Sequence, residues 1–563
     1  MNIKNFLPTN LEEANKLGYN ELDVVLISAD AYVDHPAFAN AIIGRYLSSL
    51  GLRVGIISQP NWLSTNDFTV LGKPKLFFGV SAGNLDSMVS LYTAQRKIRS
   101  DDPYSENGLS GKRPYLPTIV YTNRLRELYK DVPIIIGGVE ASLRRVSHYD
   151  FYTDKIRPSI LLDSKADLLV YGNGEAPIRE IINLLNSGKS VRDIKSVRGT
   201  AIPVNQKDKA NIQNAVILPS HESVKQSKIK FSEMTRIILG NTNPHCASKL
   251  YQECGTKGVL INPPQLPLET KELDYIYNLP FTRKAHPKYK GEIPALKVVE
   301  NSITSHRGCY GGCSFCSITL HQGKTIQSRS LESIQKEISK ISCESKKKIV
   351  ITDVGGPSAN MYGTQCQNKN AEITCKRRSC IYPKICKYLK TSSDNYLNLL
   401  KSISENDLVK NVYINSGIRY DLAILNPNFI TQLAKNYTQG QLSVAPEHSV
   451  NSVLKLMNKP DINIFKEFIK LYLTESKKFN KNQFIVPYLI IGHPGSTEED
   501  ENELNNFLIK NNIKVKQIQE FYPTPLTLST TLYYTESNPF TLEQIYVEKK
   551  LSVKKRLKQQ IIN

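Results

Sequence analysis

Two α/β domains in tandem are predicted for this 563-residue chain: a doubly wound parallel sheet followed by a partial (β/α)6 barrel. Between residues 20 and 190, five short apolar runs alternate with helical segments. From residue 296 a second series of strand–helix repeats begins. Directly after its first strand lies Ser305-His-Arg-Gly-Cys-Tyr-Gly-Gly-Cys-Ser-Phe-Cys-Ser317, in which Cys309, Cys313 and Cys316 form a glycine-rich C-x3-C-x2-C loop.

The first domain, 1–195, takes its strands from 23–27, 53–57, 76–80, 132–136 and 167–171. Continuous apolar runs of this length suit parallel strands buried on both faces. A first helix follows Pro36 and ends near Gly51, a residue that closes helices at positive φ. Ligands of such sheets bind beyond the carboxyl ends of the strands, which directs attention to 30–35, 81–88, Gly137-Gly138 and 172–175. Residues 196–295 are polar and proline-punctuated, as in Asn262-Pro-Pro-Gln-Leu-Pro267, and read as a linker with small elements. His245, Cys246 and Cys254 within it are read as structural or incidental, with a second metal site as the alternative.

The second domain spans 296–535. Its strands are expected at 298–303, 348–353, 410–415, 441–444, 484–491 and 515–522, and Ser330 caps a helix with Ile334, Ile338 and Ile341 on one face. Lys346 to Lys348 lead into the second strand. In β/α barrels function sits at the carboxyl ends of the strands, where the cysteine loop falls. Three thiolates on one loop cap three irons of a [4Fe–4S] cube and leave the fourth open, whereas tetrahedral zinc needs a fourth ligand from elsewhere. Gly308, Gly311 and Gly312 let the backbone wrap such a group. A Cys-rich insertion, 357–400, carries Cys366, Cys375, Cys380 and Cys386 as C-x8-C-x4-C-x5-C, a complete ligand set for zinc or an auxiliary iron–sulfur cluster. Residues 536–563 form a basic C-terminal tail.

Composition narrows the classes. No apolar run approaches the roughly 20 residues of a membrane span, and no signal-peptide segment is present, so a cytoplasmic protein without a membrane partner is expected. Ten cysteines, clustered in a chain without an export signal, fit metal ligation better than a disulfide framework. Lys plus Arg (73) exceed Asp plus Glu (52) by 21, which admits nucleic acid as partner or substrate, with a scattered solvated surface as the alternative.

The cysteine spacing, with Phe315 before the third cysteine, resembles the cluster loop of radical S-adenosylmethionine (SAM) enzymes. Residues 353–362, 443–448 and 491–495 resemble the YgiQ-like radical SAM family, and the likeness covers nearly the whole chain. It implies a [4Fe–4S] cluster on Cys309, Cys313 and Cys316, with SAM chelated at the open iron and cleaved to a 5′-deoxyadenosyl radical that takes hydrogen from a substrate. An electron donor such as flavodoxin or ferredoxin follows from that chemistry. Gly355 and Gly356 correspond to the glycine motif that grips SAM's methionine end, although Pro357 replaces the usual glutamate. Arg419, beside Ser416, is expected to bind SAM's carboxylate through two nitrogens, Glu447 its ribose or amino group, and Gly492 and Gly495 its adenine side, with His493 the nearest titratable group. Alternatives are a tRNA or protein methyltransferase or methylthiotransferase, and a non-catalytic iron–sulfur binding or sensing protein. The first domain resembles the cobalamin-binding domain of one radical SAM branch. The D-x-H-x-x-G signature is missing, since His35 is followed by proline, and this weighs against bound cobalamin and for a lid or platform.

Overall fold

The computed structural model describes residues 5–205, 212, 214–345, 347–513, 515 and 518–562. Lys346, and Lys516 and Gln517 of the expected last strand, lie outside the described residues. The chain divides into two units, Met1–Leu266 with Tyr275–Glu300, and Pro267–Asp274 with Asn301–Asn563.

All five apolar runs of the first unit become strands: β1 (Val24–Ser28), β2 (Val54–Ser58), β3 (Phe77–Ser81), β4 (Ile134–Gly137) and β5 (Leu168–Val170). They pair in parallel in the order β5-β4-β3-β1-β2, the doubly wound pattern. Helix α1 (Ala39–Ser49) stops at Leu50, and Gly51 follows at φ 88°. The sheet does not end where the apolar runs do. Strands β6 (Thr200–Asn205), β7 (Ala215–Ile217), β8 (Lys249–Cys254) and β9 (Lys257–Ile261) extend it to nine, in the order β7-β8-β9-β6-β5. Residues expected as a linker thus carry almost half of the sheet's strands. Pro203 inside β6 and Gly258 inside β9 mask them as strands, and both pairings of β9 are antiparallel. One local sign was present: Cys254-Gly-Thr-Lys257, a two-residue hairpin turn with glycine first at φ 57°.

Buried ion pairs fill the carboxyl edge of this sheet. Arg113, fully buried, donates from Nη2 to Asp30 Oδ1 at 3.0 Å and from Nε to Asp102 Oδ2 at 2.7 Å. Arg144 pairs with Asp86 in the same way. Gly83, at φ 97°, has no room for a Cβ, which would fall inside the Asp30 carboxylate. Burial pushes the Asp30 pKa up, and the Arg113 guanidinium opposes that shift.

The second unit carries β10 (Ser302–Thr304), β11 (Ile349–Ile351), β12 (Asp353–Gly355), β13 (Val409–Val412), β14 (Gln441–Glu447), β15 (Phe484–Ile491) and β16 (Gln519–Glu520). Segments β11 and β12 share one strand path, which gives six parallel strands. On one side β10 pairs with β12 and β11 with β13; on the other β14 pairs with β15 and β15 with β16. A parallel bridge from Ile418 to Val444 links the two sides. Helix α2 (Leu331–Ser345) buries Ile334, Ile338 and Ile341 against Ile349, Val354 and Leu400. Within the segment expected as a basic tail, helix α3 (Leu551–Ile562) packs Leu557 and Ile561 onto Leu489, Ile491 and Ile518. Lys554 is buried with its ammonium 4.8 Å from the Tyr533 ring. No described helix is long and apolar enough to cross a membrane.

Replacing Arg113 by Met strands two buried carboxylates, which costs about 3–5 kcal/mol. Urea unfolding is expected to show that loss, and the double change Asp30→Asn with Arg113→Met to recover part of it.

Candidate active site

The cysteine loop leaves the carboxyl end of β10 under tight backbone control. Ser305 N donates to Gly355 O at 2.7 Å, Cys309 N to Gly323 O at 3.1 Å and Ser314 N to Met457 O at 3.0 Å. Asn458 Nδ2 donates to Gly312 O at 3.0 Å. Cys309, Cys313 and Cys316 are half-buried. Gly311 N donates to Cys309 Sγ at 3.4 Å. A Cβ on Gly311 would lie 3.3 Å from Cys309 Sγ and 3.9 Å from Cys313 Sγ, so glycine leaves the space between two of the sulfurs clear. Burial, then the neighbouring Cys313, pushes the thiols of Cys309 and Cys316 up from the usual range. Soft cations reverse that cost, because metal binding takes the thiolate form.

Around this loop stand the residues expected to hold SAM, in part with other duties. Gly355 makes room for Ser416 and Asp353, whose side chains occupy the space of its absent Cβ. Asp353 Oδ1 accepts from the backbone N of Asn415 and of Ser416, both at 2.9 Å, tying the second strand path to the third. Gly356 gives way to the buried His306 ring, 2.7 Å from a Cβ position at its Nε2. Arg419 differs most from expectation. Its two-nitrogen edge is taken by Asp421, Nε to Oδ1 at 2.9 Å and Nη2 to Oδ2 at 2.6 Å, so it is not open to grip a carboxylate bidentately. Nη1 instead points at Cys313 Sγ, 3.5 Å away. Burial opposes the Arg419 charge, but Asp421 and Cys313 hold its pKa well above the ordinary value.

Glu447 ends β14 at φ 72°, a left-handed conformation that a non-glycine residue adopts under local constraint. Its carboxylate is buried, which raises its pKa, and Lys459 Nζ stands 3.7 Å from Oε1. Cys316 feels the charge of Glu447. After β15, Gly492 N donates to Glu501 Oε1 at 2.7 Å and Gly495 N to Tyr546 O at 2.7 Å. Between them, His493 is buried, with Nδ1 2.8 Å from Pro494 O and Nε2 2.7 Å from Ser529 Oγ. Ser529 Oγ in turn lies 2.8 Å from Ser314 Oγ, and Ser529 N donates to Ser314 O at 2.9 Å. His493 therefore ties the β15 turn to the cysteine loop through one hydroxyl. Burial drops its pKa to about 3, so the ring is neutral at physiological pH.

The second cysteine group is gathered in the insertion. Cys375 and Cys386 are electrostatic neighbours of Cys380, as is Lys324, whose Nζ donates to Cys375 Sγ at 3.2 Å. Among the described residues no three His, Cys, Asp or Glu side chains stand ready to hold a single metal ion. Three thiols from one loop, with a glycine-lined gap between two of them, suit a multi-iron cluster held on three corners.

Comparison with known proteins decides the family. The Radical SAM N-terminal family matches residues 6–302, the Radical SAM superfamily 303–508, and a domain of unknown function, DUF3362, 516–563. A UPF0313 protein of Geobacter sulfurreducens is 46% identical over 542 residues, covering 96% of this chain and 89% of that one. The chain belongs to the UPF0313 family. YgiQ of Escherichia coli K12, also a UPF0313 protein, is 42% identical over 97% of this chain and 82% of its own. Among solved structures, the radical SAM methyltransferase TsrM of Kitasatospora setae, with tryptophan substrate and a SAM analogue bound, aligns at TM-score 0.51. It is 14% identical and the match covers 90% of this chain and 75% of that one, a likeness of fold. This UPF0313 member is a radical SAM enzyme. Sequence reasoning missed Asp353, His306, Asp421, Lys459, Ser314 and Ser529. Asp353 and Asp421 flank Gly355 and Arg419 in the chain, and that adjacency was the available signal.

Two outcomes test this geometry. Gly312, at φ 63°, would place a Cβ 2.7 Å from Ser379 Cβ and 2.8 Å from Arg378 O. Gly312→Ala is expected to lower bound iron per chain after anaerobic reconstitution, with helical content unchanged by circular dichroism. His493 has a folded pKa of about 3 against 6.5 unfolded, so its contribution to stability is full above pH 6.5 and is lost as pH falls towards 3. His493→Gln should flatten the fall between pH 6.5 and 5 by up to about 2 kcal/mol in denaturant titrations.

Proposed function

We propose that Cys309, Cys313 and Cys316 hold a [4Fe–4S] cluster with one iron left for SAM, and that Glu447, Lys459 and the turn Gly492–Gly495 line SAM's place. The observation that carries this reading is the gathering of three half-buried thiols on one loop at the end of β10, with the Arg419 guanidinium turned towards Cys313. Bound there, a [4Fe–4S] cluster supplies the electron for reductive cleavage of SAM to methionine and a 5′-deoxyadenosyl radical. Arg419, fixed by Asp421, offsets thiolate charge. Glu447 offers a buried carboxylate to an ammonium or hydroxyl group, and Gly355 and Ser416 set the spacing of the neighbouring strand ends. His493, neutral, positions the loop rather than moving protons. A one-electron donor such as flavodoxin or ferredoxin, and a cytoplasmic setting, complete the proposal.

We propose no histidine-ligated cobalamin in the first unit. His35 is buried, its Nδ1 accepts from Ala37 N at 3.0 Å, and burial with the nearby Arg283 charge pushes its pKa well below the usual value. Asp34, which would orient it, is engaged by Arg45 and by Thr282 N. We derive no step through that cofactor. On the basic helix α3, Lys554 is buried, Arg556 donates twice to Glu498 at 2.8 Å, and Lys558 lies 3.8 Å from Glu520.

Anaerobically reconstituted, reduced protein is expected to release 5′-deoxyadenosine from SAM, and Cys313→Ala to abolish that release. Turnover that survives the substitution would overturn the ligand assignment.

A further inference from the structure

We propose that the insertion carries a second, thiolate-held metal centre on Cys366, Cys375, Cys380 and Cys386, and that this centre braces the loop of the first cysteine set. The assignment does not depend on SAM chemistry. Little regular structure holds the segment together: between the short helix Lys369–Thr374 and helix Asp394–Ser404 the chain runs through bends and turns. Its cysteines are nevertheless drawn together by backbone. Cys386 N donates to Cys380 O at 2.7 Å, and Leu389 N to Cys386 O at 2.9 Å. Cys366 forms an antiparallel bridge with Leu389, three residues after Cys386, flanked by Gln367 N to Tyr388 O at 2.7 Å and Lys390 N to Gln365 O at 3.1 Å, and its Sγ donates to Asn368 O at 3.4 Å. Cys375 is reached from the barrel by Lys324 Nζ, which also donates to Arg377 O at 3.0 Å.

The insertion then presses on the first cysteine loop. Ser379 Oγ donates to Gly311 O at 2.8 Å, and Cys380 N to Tyr310 O at 3.0 Å. Cys380 and Cys386 pack with Cys309 around Tyr310, Met361 and Ile381. A segment with so few buried apolar groups needs a cross-link to hold this position, as small cysteine-rich modules do. Zinc and an iron–sulfur cluster share the same thiolate chemistry, and metal analysis separates them.

The test measures iron, zinc and acid-labile sulfide on fully loaded protein. Wild-type protein is expected to carry either about eight irons, or about four irons plus about one zinc, per chain. About four irons and no zinc would overturn the proposal without any variant. Chains with Cys309→Ala, Cys313→Ala and Cys316→Ala are expected to keep the second metal alone, and adding Cys380→Ser and Cys386→Ser to remove it. Metal that persists after those two changes also overturns the assignment. Should the first set bind no iron while the second retains its metal, the ligand assignment under Proposed function fails and this one stands.

Discussion

Three sulfurs gathered in a half-buried loop must be compensated in the thiolate form that a metal takes, and much of the second unit follows from how this is done. Arg419 is the compensating cation. Burying a guanidinium is costly in turn, so Asp421 fixes two of its nitrogens and leaves the third for Cys313. Asn360 then binds the Arg419 backbone in both directions, N to Oδ1 at 2.8 Å and Nδ2 to O at 2.9 Å. The pairing fixes where the third strand path must end, and through Asp353 and Ser416 it fixes the second. Glycine at 355 and 356 is the steric result: side chains that serve the loop occupy the space their own would need.

In the sequence, the five parallel strands of the first unit were legible because a strand buried on both faces is apolar throughout. Strands β6 to β9 were not, because their ladder passes through Pro203 and Gly258. The three cysteines were legible as a set, since their spacing is a statement about ligands rather than about fold. Arg419 was singled out, but the use of its donors was not legible. A guanidinium offers several donors, and only the positions of Asp421 and Cys313 in space show which are spent. His493 and Ser529 illustrate the same limit: a contact across distant loops leaves no period in the chain.

The first unit applies a similar economy to its strand ends. A doubly wound sheet usually offers that edge to a ligand, yet here Asp30, Asp86, Asp102, Arg113 and Arg144 satisfy one another. The edge is polar but not vacant. Such pairing gives geometric definition more than net stability.

Helix α3 comes late in the chain, yet Lys554 lies against Gly492, beside the histidine that steadies the cysteine loop. A ribosome therefore finishes the cysteine loop long before it makes the helix that backs its support. During that interval the nascent barrel lacks part of its floor.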